Sequence, residues 1–238
     1  MILAALAKAA PAAAPAAAGW GDRPIVMVVL LAALSLLPFA LVLGTSFVKI
    51  AVVLSLVRNA IGAPQVPPTM VVTGLAMLLS AFVMAPVGER VYAAAKGVFP
   101  GADATPAAAA QGVLDAVDRG KEPVREFLAK HAHAHETAVF HDLARRLRPP
   151  ADRDAVAPRD LAVLAPAFAT SELKEAFEIG FLLFLPFLIV DLLCANVLGA
   201  LGLQTLSPTT VSLPFKLLLF VLVDGWTLLL RGLVLSYA

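Results

Sequence analysis

The chain has 238 residues, 60% of them hydrophobic and 15% charged, with a formal net charge of +1. An ordinary soluble domain carries about 25% charged residues, so composition argues against a core-and-surface globule, and without a clustered basic face there is no reason to expect nucleic acid. Charge is also segregated: 26 of the 35 Asp, Glu, Lys and Arg residues lie between Glu89 and Glu178. The chain therefore reads as two apolar blocks flanking one polar insert, a membrane-protein layout.

Residues 1–24 form an Ala/Pro-rich leader that is predicted to be disordered. Lys8 interrupts its short apolar stretch, so no cleaved signal peptide is predicted. Residues 25–88 make a first hydrophobic helical hairpin. Ile25 to Val48 supplies 24 uncharged residues, more than the roughly 20 that span a bilayer as helix, and Pro38 should kink it. Lys49 and Arg58 follow. Asn59 to Gly62 has the look of a helix end, because glycine tolerates the left-handed cap conformation. Pro64, Pro67 and Pro68 then enforce a stiff turn. A second helix is predicted from Thr69 to about Val87.

The polar insert occupies residues 89–170. Its stretch 97–110 reads as a loop. Residues 123–147 read as one amphipathic helix, with Val124, Phe127, Leu128, Phe140, Leu143 and Leu147 at spacings near three and four. Residues 171–238 make the second hydrophobic hairpin. Ser171 followed by Glu172 suggests an N-cap with an acid in the first turn, and Pro186 a kink further on. Ser207-Pro208 reads as a cap with proline at the first helical position, opening a last apolar stretch to Leu235. The fold class expected is all-α, membrane-associated, with two long kinked hairpins, four hydrophobic segments and a mostly helical polar insert.

Four charges sit where apolar residues are the rule: Lys49, Asp191, Lys216 and Asp224. Each costs about 2.5–3.5 kcal/mol at a bilayer centre on insertion scales. They should therefore face protein partners, a water-filled path or one another, unless they mark helix ends where lysine snorkels outward. Pro38, Pro86, Pro186 and Pro214 are expected to interrupt the four helices, and Gly74, Gly180, Gly199 and Gly202 to permit close helix contacts. Positive charge does not set an orientation: Lys8, Arg23 and Arg231 balance Lys49, Arg58 and Lys216.

Catalytic signatures are absent from the sequence, with no phosphate-binding glycine loop, nucleophile elbow or dinucleotide fingerprint. All four histidines fall in one run, and on a single helix His131 and His135 would share a face. Position 139 is Val, however, so the zinc-protease pattern fails, and a solvated helix face is the expected reading. No cofactor or metal is expected. Cys194 has no partner cysteine and should pack as a small hydrophobe.

Three stretches resemble the FliP/SctR family of flagellar and injectisome export proteins, which includes YscR-, HrcR- and SpaP-like members. They are residues 45–88, 166–181 and 206–226, in matching order, with Arg58, Pro67, Pro68, Glu172, Phe177, Glu178, Gly180, Pro208, Pro214, Gly225 and Trp226 among the motif residues. The resemblance implies a non-enzymatic core subunit of a type III secretion export apparatus in the bacterial inner membrane. It implies a homo-oligomer, a pentamer, assembled with FliQ/SctS-like and FliR/SctT-like membrane proteins, and contacts with the export gate, needle or inner rod components and lipid. Unfolded secreted proteins would pass through the resulting pore. The hairpins would be held largely above the bilayer plane, with the insert periplasmic, and the missing signal peptide leans toward the injectisome branch.

Many relatives carry a methionine cluster before the Ser-Pro of the third stretch, thought to form a gasket at the pore constriction. The matching positions here are Leu203, Gln204 and Thr205, two of which lack the deformable apolar character of methionine. A rival expectation is an autonomous proton-coupled transporter of small solutes, using Asp191 and Asp224. Such transporters usually show internal repeats, and the two blocks share little beyond being hairpins.

Overall fold

The computed structural model describes residues 35, 38–39, 42–63, 65–96, 106–203 and 205–238. The leader, most of the run from Ile25, Pro64, residues 97–105 and Gln204 lie outside the described residues. Among the described residues every regular element is helical. Helix α1 (Phe47–Ile61) buries Ile50, Val53, Leu54, Val57 and Ile61, a three- and four-residue rhythm that makes one face. It stops at Gly62, whose φ of 88° is open to glycine and whose N–H reaches the Asn59 carbonyl at 3.1 Å. After the proline turn, in which the Val66–Pro67 bond is cis, helix α2 (Thr69–Ala95) starts at the predicted residue. It runs past the predicted end at Val87, because Val87 and Val91 continue its packing onto the insert.

The insert departs from expectation in two ways. Helix α3 (Pro106–His131) begins inside the stretch read as loop, and the single helix expected over 123–147 is split. Its second part is α4 (Ala134–Leu147), preceded by His133 in extended conformation. The split has a local cause: the His133 N–H leaves the helical ladder and donates to the Ser171 hydroxyl at 2.9 Å. A 3₁₀ turn (Pro150–Ala155) then leads into α5 (Leu161–Ala200), a helix of 40 residues.

Helix α5 corrects the expected start at Ser171. That serine is buried in mid-helix and donates to the Ala167 carbonyl at 2.8 Å. The uncharged residues 161–170 extend the helix back to Asp160, so it passes through Ser171 without a break. The helices also run on through Pro86, Pro166, Pro186 and Pro214, which do not interrupt them. Each proline removes one N–H, a loss that neighbouring helices can offset.

Helix α5 ends at Gly202 (φ 70°), where the Leu203 N–H bonds the Leu198 carbonyl and the Gly202 N–H that of Gly199, a Schellman closure. Helix α6 (Pro208–Leu222) opens at Ser207-Pro208 as predicted. The last stretch is not one helix. It breaks at Asp224, a left-handed residue (φ 50°, ψ 49°), and α7 (Gly225–Leu235) departs at 60°. A Cβ at Gly225 would lie 2.4 Å from the Phe220 ring, which is why glycine occupies the corner.

Helices α2 and α5 are long and apolar enough to cross a membrane, and the bent pair α6–α7 makes a third such span if counted together. The protein is thus an all-helical, membrane-associated chain. Its main core packs α1 and α2 against α5, α6 and α7 through Ile50, Val53, Ala76, Ala176 and Leu233. A second core joins the insert to the same helices through Phe127, Leu128, Leu164, Phe168 and Tyr237.

Of the glycines expected to admit close contacts, Gly180 does so: a Cβ there would sit 2.2 Å from Leu56 Cδ1 and 3.2 Å from its Cβ. Gly74 and Gly199 face open space. Gly180→Ala should therefore destabilise the chain by about 1–3 kcal/mol through overpacking. Thermal unfolding in detergent checks this, and Leu56→Ala in the same chain should recover much of the loss.

Candidate functional site

The charge that α1 places on its buried face is Lys49, with a side chain 1% exposed. An ammonium so deeply buried needs carboxylates and hydrogen bonds around it. Helix α5 presents two acids three residues apart and therefore on one face. Lys49 Nζ lies 2.7 Å from Glu175 Oε2 and 3.4 Å from Glu172 Oε1. Tyr237, beyond α7, closes the third side: its hydroxyl donates to Glu172 Oε2, and its ring centroid lies 3.9 Å from Lys49 Nζ. Burial, then the neighbouring Glu172 charge, pushes the Tyr237 phenol above its usual range and keeps it a donor.

The insert adds the fourth side. His133 Nε2 is 2.7 Å from Glu175 Oε1, and its Nδ1 is 3.6 Å from Glu136 Oε2. Glu136, on α4, also lies 3.5 Å from Lys174. A hydrogen bond to its backbone, followed by the Lys174 and His133 charges, holds its carboxyl below the usual range against the opposing effect of burial. His131 behaves oppositely. It packs among Phe127 and Tyr237, and burial, with Lys130 and Lys49 adding, lowers it to about 4. Because its folded-state value is depressed, charging His131 works against the fold as pH falls from about 6.5 toward about 4. The helix break separates His131 from His135, so the shared face on which a metal clamp depended does not exist. Among the described residues no group of three potential ligands gathers.

A second buried pair joins α5 to α6. Lys216 Nζ is 2.6 Å from Asp191 Oδ2 and donates to the Ala60 carbonyl at 3.1 Å, while the Ser212 hydroxyl also donates to Asp191. Lys216 thus sits beside the C-terminal end of α1, where a cation suits the helix dipole. Asp224 forms no ion pair among the described residues. It is exposed at the α6–α7 corner, so it joins neither cluster.

The remaining motif residues serve the scaffold or lie outward. Arg58 Nη1 bonds Thr69 Oγ1 at 2.9 Å across the turn containing Pro67, and Pro68 precedes the first residue of α2. Trp226 stands edge-on to Phe220 with centroids 5.3 Å apart. Phe177 and Glu178 are exposed on α5. Leu203 and Thr205 are exposed in the turn between α5 and α6. Composition alone did not single out Glu175, His133 or Tyr237. The available signal was a lone lysine in an apolar run, which demands a carboxylate, and a second acid one turn from Glu172.

Comparison with known proteins follows the same helices. The FliP family model matches residues 30–233. Over 211 residues the chain is 49% identical to the hypersensitivity response secretion protein HrcR of Ralstonia nicotianae, covering 89% of this chain and 96% of that one. It is 47% identical to the Yop proteins translocation protein R of Yersinia pestis, over 89% and 95% of the two chains. Identity to the flagellar biosynthetic protein FliP of Pectobacterium carotovorum is 49%, over 88% and 77%.

Removing one partner of a fully buried pair strands the other charge. Lys49→Met should cost about 3 kcal/mol or more, read as lowered thermal and denaturant resistance in detergent. Adding Glu172→Gln should restore part of it, since the neutral amide no longer needs an ammonium.

Proposed function

The chain belongs to the FliP family, and we propose that it is a core subunit of a type III secretion export apparatus. In this reading it forms, with SctS- and SctT-like partners, the pore through which unfolded proteins leave across the inner membrane. The observation that carries the proposal is the match over residues 30–233 to relatives named for secretion, translocation and flagellar biosynthesis. The geometry adds support. The buried lysines of the apolar helices find their acids within the chain, while Phe177, Phe181, Leu188, Ile189 and Leu192 of α5 stay exposed. A surface of that kind belongs against other helices or lipid.

On this proposal several copies, a pentamer, surround the export path, and the insert faces the periplasm. The constriction is placed at Leu203, Gln204 and Thr205, without the methionines of many relatives. No catalytic step is assigned. The transporter alternative gains no support, because Asp191 is engaged by Lys216 and Ser212 instead of standing open to solvent.

The native mass of tagged protein, expressed alone and then with its two candidate partners, tests the assembly. A discrete ring-sized species that recruits both supports the export core, whereas a monomer or dimer indifferent to them rejects it. Asp191→Ala, which strands Lys216, should impair assembly or secretion, as should Asp224→Ala at the α6–α7 corner. Wild-type secretion by the double variant would dismiss a role for both acids.

A further inference from the structure

His133 stands at the break between α3 and α4, and each of its ring nitrogens faces a carboxylate from a different helix. Nε2 meets Glu175 of α5 at 2.7 Å, and Nδ1 meets Glu136 of α4 at 3.6 Å. A neutral imidazole carries one N–H and serves one acceptor; an imidazolium carries two and serves both. Glu136 Oε2 is the acceptor in need. Its side chain is only 9% exposed, its Oε2 receives no hydrogen bond among the described residues, and its Oε1 has Lys174 at 3.5 Å.

The charges around the ring point the same way. Glu136, Glu172 and Glu175 supply three negative groups, and Lys49 of α1 with Lys174 of α5 supply two positive ones. A proton on the His133 ring is met by a carboxylate at each nitrogen. The other titratable neighbours do not supply that proton. Tyr237 spends its hydroxyl on Glu172, and His131, packed against Tyr237, stays neutral down to about pH 4.

We propose that His133 is a proton-operated clasp between the insert and α5. Protonated, it bridges Glu136 and Glu175 and holds the α3–α4 junction against the long helix. Neutral, it must give up one carboxylate, and the junction loosens. Two amides report on the junction directly: the His133 N–H, bonded to the Ser171 hydroxyl, and the Thr137 N–H, bonded to the His133 carbonyl.

The test is hydrogen exchange at those two amides in the full chain in detergent, corrected for intrinsic rates. The two conditions are about pH 6 and about pH 8, between which an ordinary histidine changes charge. Wild type should exchange about tenfold more slowly at the lower pH, the scale of one hydrogen bond to a charged group. His133→Gln should lose that dependence, and Glu136→Gln, which keeps the ring but removes the second carboxylate, should lose it too. His131→Phe should keep it. A flat wild-type profile overturns the clasp, as does a response that survives in His133→Gln or Glu136→Gln, or one that vanishes in His131→Phe. Circular dichroism of each variant separates local loosening from loss of fold. The outcome is independent of which side of the membrane the insert occupies, so it stands or falls apart from the export reading.

Discussion

The ammonium of Lys49 sets the terms for the rest of the molecule. A cation 1% exposed within an apolar helix persists only where carboxylates and donors converge on it. Here the converging groups come from α5, from the residues after α7 and from the insert. Rotating α1 by one residue would turn Lys49 by about 100° around the axis, away from Glu172 and Glu175. The need to neutralise one charge therefore fixes the rotational setting of α1 on α5. It also fixes where Tyr237 and the α3–α4 junction must come to rest.

The Lys216–Asp191 pair performs the matching task at the other end of α1. Lys216 reaches the Ala60 carbonyl as well as Asp191, so the first helix is held near both ends against α5 and α6. Between those polar contacts the interface is apolar and close, with Leu56 lying against Gly180. Because these charges are satisfied inward, the outward faces of α2, α5 and α6 are left with large apolar side chains. Internal neutralisation and external hydrophobicity are two consequences of one arrangement.

Much of this was legible in the sequence where a single residue type decides the matter. Gly62 ended α1, Ser207-Pro208 began α6, and the odd lysines of the apolar blocks have carboxylates beside them. The failures arose where tertiary contacts override local pattern. Ser171 reads as a cap, but its hydroxyl bonds back to Ala167 and accepts the His133 N–H, which keeps α5 continuous and breaks the insert helix. The prolines read as interruptions, yet the helices run through them. Asp224 reads alongside Lys49, Asp191 and Lys216 because it too interrupts an apolar run. It stands at the corner where Phe220, Gly225 and Trp226 pack.

The continuity of α5 bears on how the insert and the membrane-facing part act together. Forty residues of α-helix extend about 60 Å, roughly twice the hydrocarbon thickness of a bilayer. Its first turns, with Leu164 and Phe168, belong to the core shared with the insert. Its later turns, from Phe181 to Leu193, carry the exposed apolar face. Glu172 and Glu175 lie between these regions, where protein from the insert, α1 and the residues after α7 buries the ion cluster. The two regions are joined by unbroken helix, since α5 runs from Leu161 to Ala200. The place where the two are fastened to each other is the cluster that closes around Lys49.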